Sequence, residues 1–166
     1  MAAIDPVQLS RWFEGHGPAL VLYARTWLDA SRAEDVVQEV FLRLMAQRRE
    51  PENVRAWLFR SVRNAAVSQL RSRHRRTQHE HGRASREPGW FERRPDDPAD
   101  AEAVQQALTR LPAEQREIIV LRIWCGMTLQ EAAEITAQPV STLFSRYRAG
   151  LTAIRERMEL SCKKND

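Results

Sequence analysis

Apolar residues recur at intervals of three and four along most of the chain, and no segment alternates apolar and polar residues as a strand does. The chain is therefore predicted to be all-α. In its first half the pattern predicts four helices, at residues 6–14, 18–28, 31–47 and 54–76. The break between the first two is assigned to Gly15–Pro18, because glycine and proline interrupt helices, and Pro18 then opens the second helix.

Two apolar faces form the predicted core of this half. The third helix opens with a capping box of Ser31 and Glu34. Its predicted buried stripe is Val36, Val37, Val40, Phe41 and Leu44. The stripe of the fourth helix is Trp57, Leu58, Ser61, Val62, Ala65 and Leu70. Asn64 falls in the middle of that helix, where asparagine is a poor helix former, and predicts a kink or a short loop.

Helical periodicity resumes at residue 101 and predicts a bundle of about four helices. The apolar positions of the first two are Ala103, Ala107, Leu108, Leu111, Ile118, Ile119, Leu121, Ile123 and Trp124. Gly126 is suited to a left-handed helix C-cap. Thr128 and Glu131 then form a capping box, which starts a third helix over Leu129–Thr136.

The last two predicted helices are arranged as a helix-turn-helix. Pro139 disfavours helical geometry in the residue before it, so the pattern breaks at residues 137–139. The apolar positions of the final helix are Val140, Leu143, Tyr147, Leu151 and Ile154. Two helices joined by a three-residue break are typical of the motif that places its second helix in the DNA major groove. An ordinary antiparallel pair of helices fits the same pattern.

Residues 77–100 lose the periodicity and contain three prolines and two glycines, which predicts a flexible linker. A fully extended linker of this length reaches about 80 Å. It separates two small helical domains, residues 1–76 and residues 101–166. Trp90 and Phe91 are unusual in a solvated linker, and we expect them to pack on a domain or in a partner's groove.

Charge is segregated along the chain, whose net charge is +4. Residues 60–86 hold eight arginines and one acid, whereas residues 29–52 hold six acids and four arginines. The basic surface contains Arg71, Arg73, Arg75 and Arg76. The acidic surface contains Asp35, Gln38, Glu39 and Leu42. The first is either a phosphate-neutralising helix tip or a solvated helix end, and the second is either a docking face or a solvated face.

Several classes of protein find no support in the sequence. No apolar run approaches the roughly 20 residues of a membrane span, and the N-terminus does not resemble a signal peptide. Cys125 and Cys162 form neither a metal-site spacing nor a disulfide framework. Because no nucleophile–base set, metal cluster or phosphate loop is visible, the chain is expected not to be an enzyme and to need no cofactor or metal. A cytoplasmic location is the simplest expectation.

Three stretches carry a family resemblance. They are AEDVVQEVFLRL (33–44), NVRAWLFRSVRNAAVSQLRSRHRR (53–76) and LPAEQREIIVLRIWCGMTLQEAAEI (111–135), the last followed by PVSTLFSRYR (139–148). Together they resemble the extracytoplasmic-function (ECF) sigma factors of bacterial RNA polymerase, and their order matches the family's regions 2 and 4. The resemblance implies a protein that binds core RNA polymerase, directs it to promoter DNA and helps to open that DNA. It also implies an anti-sigma partner.

The resemblance assigns roles to surfaces of the first domain. Asp35, Gln38, Glu39 and Leu42 would dock on the polymerase clamp helices. The segment around Asn64 would form a loop that captures an extruded base of the −10 element. Backbone phosphates there would be held by Arg60, Arg63, Arg71 and Arg73.

In the second domain, residues 140–151 would enter the major groove at the −35 element. Val140, Leu143 and Tyr147 would face inward. The outward residues would be Ser141, Thr142, Phe144, Ser145 and Arg148, and the phosphate partners Arg146, Arg148 and, near the helix end, Arg155.

This chain departs from the family pattern in the same motif. Ala137 and Ser141 stand where glycine is common, and Phe144 stands where a basic residue is common. Phe144 is expected either to contact a thymine methyl or to pack on a neighbouring helix. The −35 preference of relatives therefore does not transfer to this chain.

The alternative function is a helix-turn-helix regulator that works without joining the polymerase. Residues 33–76 discriminate the two, because such a regulator needs neither a polymerase-docking face nor a base-capture segment.

Overall fold

The computed structural model describes residues 4–77 and 98–162, and all regular structure within these ranges is helical. The helices are α1 (Pro6–Ala24), α2 (Ala30–Met45), α3 (Val54–Thr77), α4 (Pro98–Thr109), α5 (Ala113–Ile119), α6 (Leu129–Thr136) and α7 (Val140–Cys162). The chain divides into two compact units, the first built from α1–α3 and the second from α4, α5, most of α6 and α7. The predictions of an all-α fold and of two helical domains are confirmed.

Helix α1 is continuous, so the predicted break at Gly15–Pro18 is wrong. Tertiary contacts on both sides of Pro18 explain its continuity. Before the proline, the Phe13 ring lies 5.0 Å from the Phe41 ring of α2. After it, the buried Tyr23 ring lies 5.4 Å from Phe59 of α3. Packing along the whole helix therefore outweighs the local preference for a break.

His16 lies inside α1 and not in a turn, and its side chain is half-buried. Burial, and then the positive charge of Arg55, lower the pKa of His16 from its usual value of 6.5. Both effects disfavour the imidazolium form in the folded state.

Helix α2 begins at Ala30, two residues before the predicted capping box would start it. Asp29 is its N-cap, and Asp29 Oδ1 accepts a hydrogen bond of 3.0 Å from the Arg32 amide. The predicted Ser31–Glu34 box is wrong because Ser31 already lies in the first turn, where the Asp29 carboxylate satisfies the free amide and complements the helix dipole. The predicted stripe Val36, Val37, Val40, Phe41 and Leu44 is buried as expected.

Helix α3 runs without interruption through Asn64, so the predicted kink or loop there is wrong. Its buried residues are Leu58, Phe59, Val62 and Ala66. Leu70, predicted to be buried, is 38% exposed. The core face is thus rotated slightly from the predicted one, and the continuous apolar stripe holds the helix together across a residue of poor helix propensity.

The second unit packs around Leu108, Leu111 and Ile119, against which Trp124, Tyr147 and Ile154 lie partly buried. Helix α5 ends in a π-helical turn at Val120–Trp124. Gly126 follows with φ +62°, which confirms the predicted left-handed cap. Ile123, predicted among the apolar positions, is 49% exposed.

Helix α7 crosses α5 closely at Gly150. A Cβ atom added there would lie 2.5 Å from Ile119 Cδ1, so a larger residue at this position would force the Ile119 side chain to move.

The helix-turn-helix has the predicted boundaries. The Thr128 amide donates to Glu131 Oε2 at 2.7 Å, and the Glu131 amide donates to Thr128 Oγ1 at 3.1 Å, which confirms the capping box. Ala137 ends α6 in the left-handed conformation at φ 54° and ψ 39°. The turn therefore keeps the backbone that suits glycine, although it contains alanine.

We predict that Ala137→Gly stabilises the second unit by up to about 1 kcal/mol, because glycine removes the left-handed strain and only part of that gain is lost to greater freedom in the unfolded chain. The matched control is Ala149→Gly, an exposed position within α7. It should destabilise by about 1 kcal/mol, since glycine is a poor residue inside a helix. Thermal and urea unfolding measure the stability of both variants. Destabilisation by Ala137→Gly would contradict the positive φ of Ala137.

We also predict that the ring protons of His16 titrate with a midpoint below 6.5. As the pH falls below that value, the unfolded chain binds the proton more readily than the folded chain, so the first unit loses stability toward acid. NMR titration measures the midpoint, with His16→Gln assigning the resonance. A midpoint at or above 6.5 would show that burial and the charge of Arg55 do not lower the pKa of His16.

Candidate nucleic-acid interface

A groove of about 500 Å³ runs along the outward side of α3. It is lined by Arg63, Asn64, Val67, Ser68, Arg71 and Arg75. Arg63, Val67, Arg71 and Arg75 follow one another at intervals of four, which places them along one helix face. That face differs from the one that buries Leu58 and Val62.

The groove brings together three of the five predicted −10 residues, namely Arg63, Asn64 and Arg71. Arg60 and Arg73 are exposed on α3 but do not line it. Val67 and Ser68 were missed by the sequence analysis, and Arg75 was named there only as part of the basic helix end. The four-residue spacing from Arg63 would have found Val67 and Arg75, and the same spacing from Asn64 would have found Ser68.

The chemistry of the groove suits a polyanion with exposed bases. Guanidinium groups of Arg63, Arg71 and Arg75 present planar donor pairs that match phosphate oxygens. Asn64 is exposed, and its amide can donate and accept at once, as hydrogen bonding to a base edge requires. Ser68 adds a hydroxyl between them. The groove therefore combines sequence-independent anchoring with one group that can distinguish bases.

A second exposed surface lies on α2. Asp35, Gln38, Glu39 and Leu42 are all exposed, opposite the buried valine stripe. Leu42 is 61% exposed and Met45, one turn further on, is 50% exposed. Met45 was not among the predicted residues, although it continues the three-residue spacing after Leu42. This helix face therefore presents two exposed apolar side chains beside acidic ones.

The outward face of α7 largely follows the prediction. Ser141, Phe144, Ser145 and Arg148 are exposed, and Thr142 is half-buried. Leu143 is buried as expected, but Val140, predicted to face inward, is 38% exposed. Val140 is the first residue of the helix, and the buried stripe of α7 starts only at Leu143.

Contacts within the second unit limit what several of these side chains can do. Ser145 Oγ donates to the Ser141 carbonyl oxygen at 3.1 Å. Arg146 lies 3.9 Å from a Glu114 carboxylate oxygen, so part of its charge is compensated. Phe144 leaves 47% of its surface exposed, which does not fit the alternative of packing on a neighbouring helix.

Arg122 ties the π-helical turn to α7, a role that nothing in the sequence indicated. Its Nη1 donates to the Met127 carbonyl oxygen at 2.6 Å. Its guanidinium also lies 5.7 Å from the centre of the Tyr147 ring. The Arg122 side chain thus links the segment before α6, through Met127, to α7, through Tyr147.

Within residues 4–77 and 98–162, no group of histidine, cysteine and acidic side chains has the arrangement of a metal site. None of the helices in those ranges is both long and apolar enough to span a bilayer. Trp90 and Phe91 lie outside the described residues.

Comparisons with known proteins place both units in one family. The family model for Sigma-70 region 2 matches residues 12–76, and the model for Sigma-70 region 4 matches residues 101–154. The chain is 33% identical over 123 residues to the ECF RNA polymerase sigma factor EcfG of Rhodopseudomonas palustris, covering 71% of this chain and 66% of that relative. It is 30% identical to the ECF RNA polymerase sigma factor SigL of Mycobacterium tuberculosis, covering 93% of this chain and 90% of SigL.

Two solved structures share the fold. The sigma factor RpoE of Bartonella quintana, crystallised with the anti-sigma factor NepR, matches with a TM-score of 0.77 at 28% identity, covering 90% of this chain and 96% of RpoE. CnrH, solved with the cytosolic domain of CnrY, matches with a TM-score of 0.68 at 22% identity, covering 95% and 91%. The two region matches and the similarity to SigL over nearly the whole chain show that this protein belongs to the ECF family of RNA polymerase sigma factors.

Proposed function

We propose that this sigma factor grips a promoter at two points while bound to core RNA polymerase. The first domain, residues 1–76, docks on the polymerase and engages the −10 element. The second, residues 101–166, engages the −35 element, and residues 77–100 join them. The observation that carries the proposal is the division of α3 into a buried apolar face and an outward groove of arginines around Asn64.

Polymerase docking is assigned to the exposed face of α2, through Asp35, Gln38, Glu39 and Leu42. Acidic side chains around an apolar centre suit a basic partner surface with an apolar pocket. Leu42 supplies the apolar surface that binding would remove from water. The acidic side chains orient the two proteins and increase the rate at which they associate. Met45 extends the same face by one turn.

Engagement of the −10 element is assigned to the groove on α3. Arg63 and Arg71 hold the backbone on either side of Asn64, with Arg60 and Arg73 adding phosphate contacts at other positions on the helix. An extruded base meets the Asn64 amide on a helix surface and not in a loop, because α3 is unbroken there. Extrusion costs a few kcal/mol of stacking, which hydrogen bonds to the amide offset.

Recognition of the −35 element is assigned to the exposed face of α7, through Ser141, Thr142, Phe144, Ser145, Arg146 and Arg148. Arg155, exposed further along the helix, adds a phosphate contact. Arg146 must exchange its weak pairing with Glu114 for a phosphate, whereas the Arg148 guanidinium lies beside the Phe144 ring.

Regulation by an anti-sigma protein is proposed from the similarity to RpoE of Bartonella quintana, which was solved in complex with the anti-sigma factor NepR. Family membership also supports a protein that acts as a specificity subunit without catalysis of its own, in the cytoplasm where core polymerase works. A helix-turn-helix regulator acting alone is not favoured, because the region 2 match covers the whole of α2 and nearly all of α3.

The direct test mixes the purified chain with bacterial core polymerase and maps transcripts on genomic DNA. We expect co-elution with core and new start sites that share two sequence elements. Absence of both co-elution and new start sites would reject the proposal.

We predict that Leu42→Ala lowers affinity for core polymerase about tenfold, since truncating a central apolar contact typically costs 1–2 kcal/mol. Leu160→Ala is the matched control, because Leu160 is 63% exposed against 61% for Leu42 and lies on α7. Fluorescence anisotropy of labelled protein measures both. Equal affinities of the two variants for core polymerase would show that α2 does not form the docking face.

We predict that Asn64→Ala reduces open-complex formation about tenfold while duplex promoter binding by the holoenzyme changes little, since only the extruded base contacts the amide. Gln69→Ala removes an exposed amide from another side of α3 and serves as the control. Fluorescence of 2-aminopurine placed in the −10 element reports opening. Equal losses in opening and duplex binding would argue against base capture at Asn64.

A further inference from the structure

We propose that Phe144 and Arg148 act as one recognition unit, in which the Phe144 ring positions the Arg148 guanidinium to bind a guanine in the −35 major groove. The inference rests on the proposed function of α7 and specifies which bases that helix reads. Its starting point is the exposed Phe144 ring, which lies beside the Arg148 guanidinium.

The geometry supports a pair. Phe144 and Arg148 stand one helical turn apart, the spacing at which helix side chains meet. The Arg148 guanidinium carbon lies 5.7 Å from the centre of the Phe144 ring, within the range of a cation–π contact. Both side chains are exposed, and 47% of the Phe144 surface remains accessible. An arginine held against a ring has fewer orientations to lose when it binds.

Two of the neighbouring donors on this face, Ser145 and Arg146, already have partners. The Ser145 hydroxyl already donates to the Ser141 carbonyl oxygen at 3.1 Å, so it is left chiefly as an acceptor. Arg146 faces Glu114. A guanidinium fork is satisfied by two acceptors in one plane, which guanine offers through N7 and O6 and adenine does not. Arg148 therefore selects guanine.

The other edge of the Phe144 ring is apolar and suits a thymine methyl. Four residues of helix rise about 6 Å, and successive base pairs are stacked about 3.4 Å apart. The pair therefore favours a guanine with a thymine one or two base pairs away. We therefore expect the Phe144–Arg148 pair to give a linked base preference at two positions of the −35 element.

The experiment measures promoter-dependent transcription by the holoenzyme on a library with randomised −35 positions. Arg148→Ala should lower discrimination for guanine about tenfold, the size of one bidentate base contact. Phe144→Leu, which stays apolar but loses the ring, should lower the same discrimination about threefold, and Phe144→Tyr should retain it. In the Arg148→Ala background, Phe144→Leu should no longer affect guanine.

A modified base tests whether Arg148 contacts the guanine directly. Replacing the preferred guanine by 7-deazaguanine removes the N7 acceptor, so it should weaken −35 dependence for the wild type and have no effect on Arg148→Ala. The inference is overturned if Phe144→Leu leaves guanine discrimination unchanged, or lowers it equally in the presence and absence of Arg148. Absence of any −35 preference in the wild type would instead reject the proposed function of α7 itself.

Discussion

The first unit depends on helix α3, which has a buried apolar face on one side and an exposed basic groove on the other. One side carries Leu58, Phe59 and Val62 into a core shared with α1 and α2, where they are almost completely buried. The other side carries Arg63, Asn64 and Arg71 into an open groove. The burial holds the helix unbroken through Asn64, and that continuity keeps the arginines on one helix face. Removing water from the apolar side therefore stabilises the polar side in a geometry that suits a charged polymer.

The second unit meets a similar demand by close packing. Gly150 lets α7 approach α5, and Arg122 joins the π-helical turn to α7 through Met127 and Tyr147. These contacts fix the rotation of α7 about its axis. The side chains that face outward, with Phe144 and Arg148 among them, are consequently determined by contacts on the opposite side of the helix.

Periodicity and capping chemistry predicted much of this architecture. The Thr128–Glu131 box and the valine stripe of α2 follow from residues close together in sequence, and both are confirmed. The errors arose where distant contacts override local preference, as at Pro18 and Asn64, whose helices are held by packing on their neighbours. Ala137 likewise adopts a left-handed turn against the conformational preference of alanine. The Phe144–Arg148 contact was beyond prediction because it depends on side-chain rotamers and not on residue type alone.

In the proposed complex, the outward face of α3 and the outward face of α7 contact different elements of one promoter. Photocrosslinking tests it most directly, with a benzoylphenylalanine placed at position 64 in one variant and at position 144 in another, each bound to core polymerase and promoter DNA. We expect position 64 to crosslink to the −10 element and position 144 to crosslink to the −35 element. Crosslinks of both positions to the same element, or of position 64 only to double-stranded DNA upstream, would contradict it.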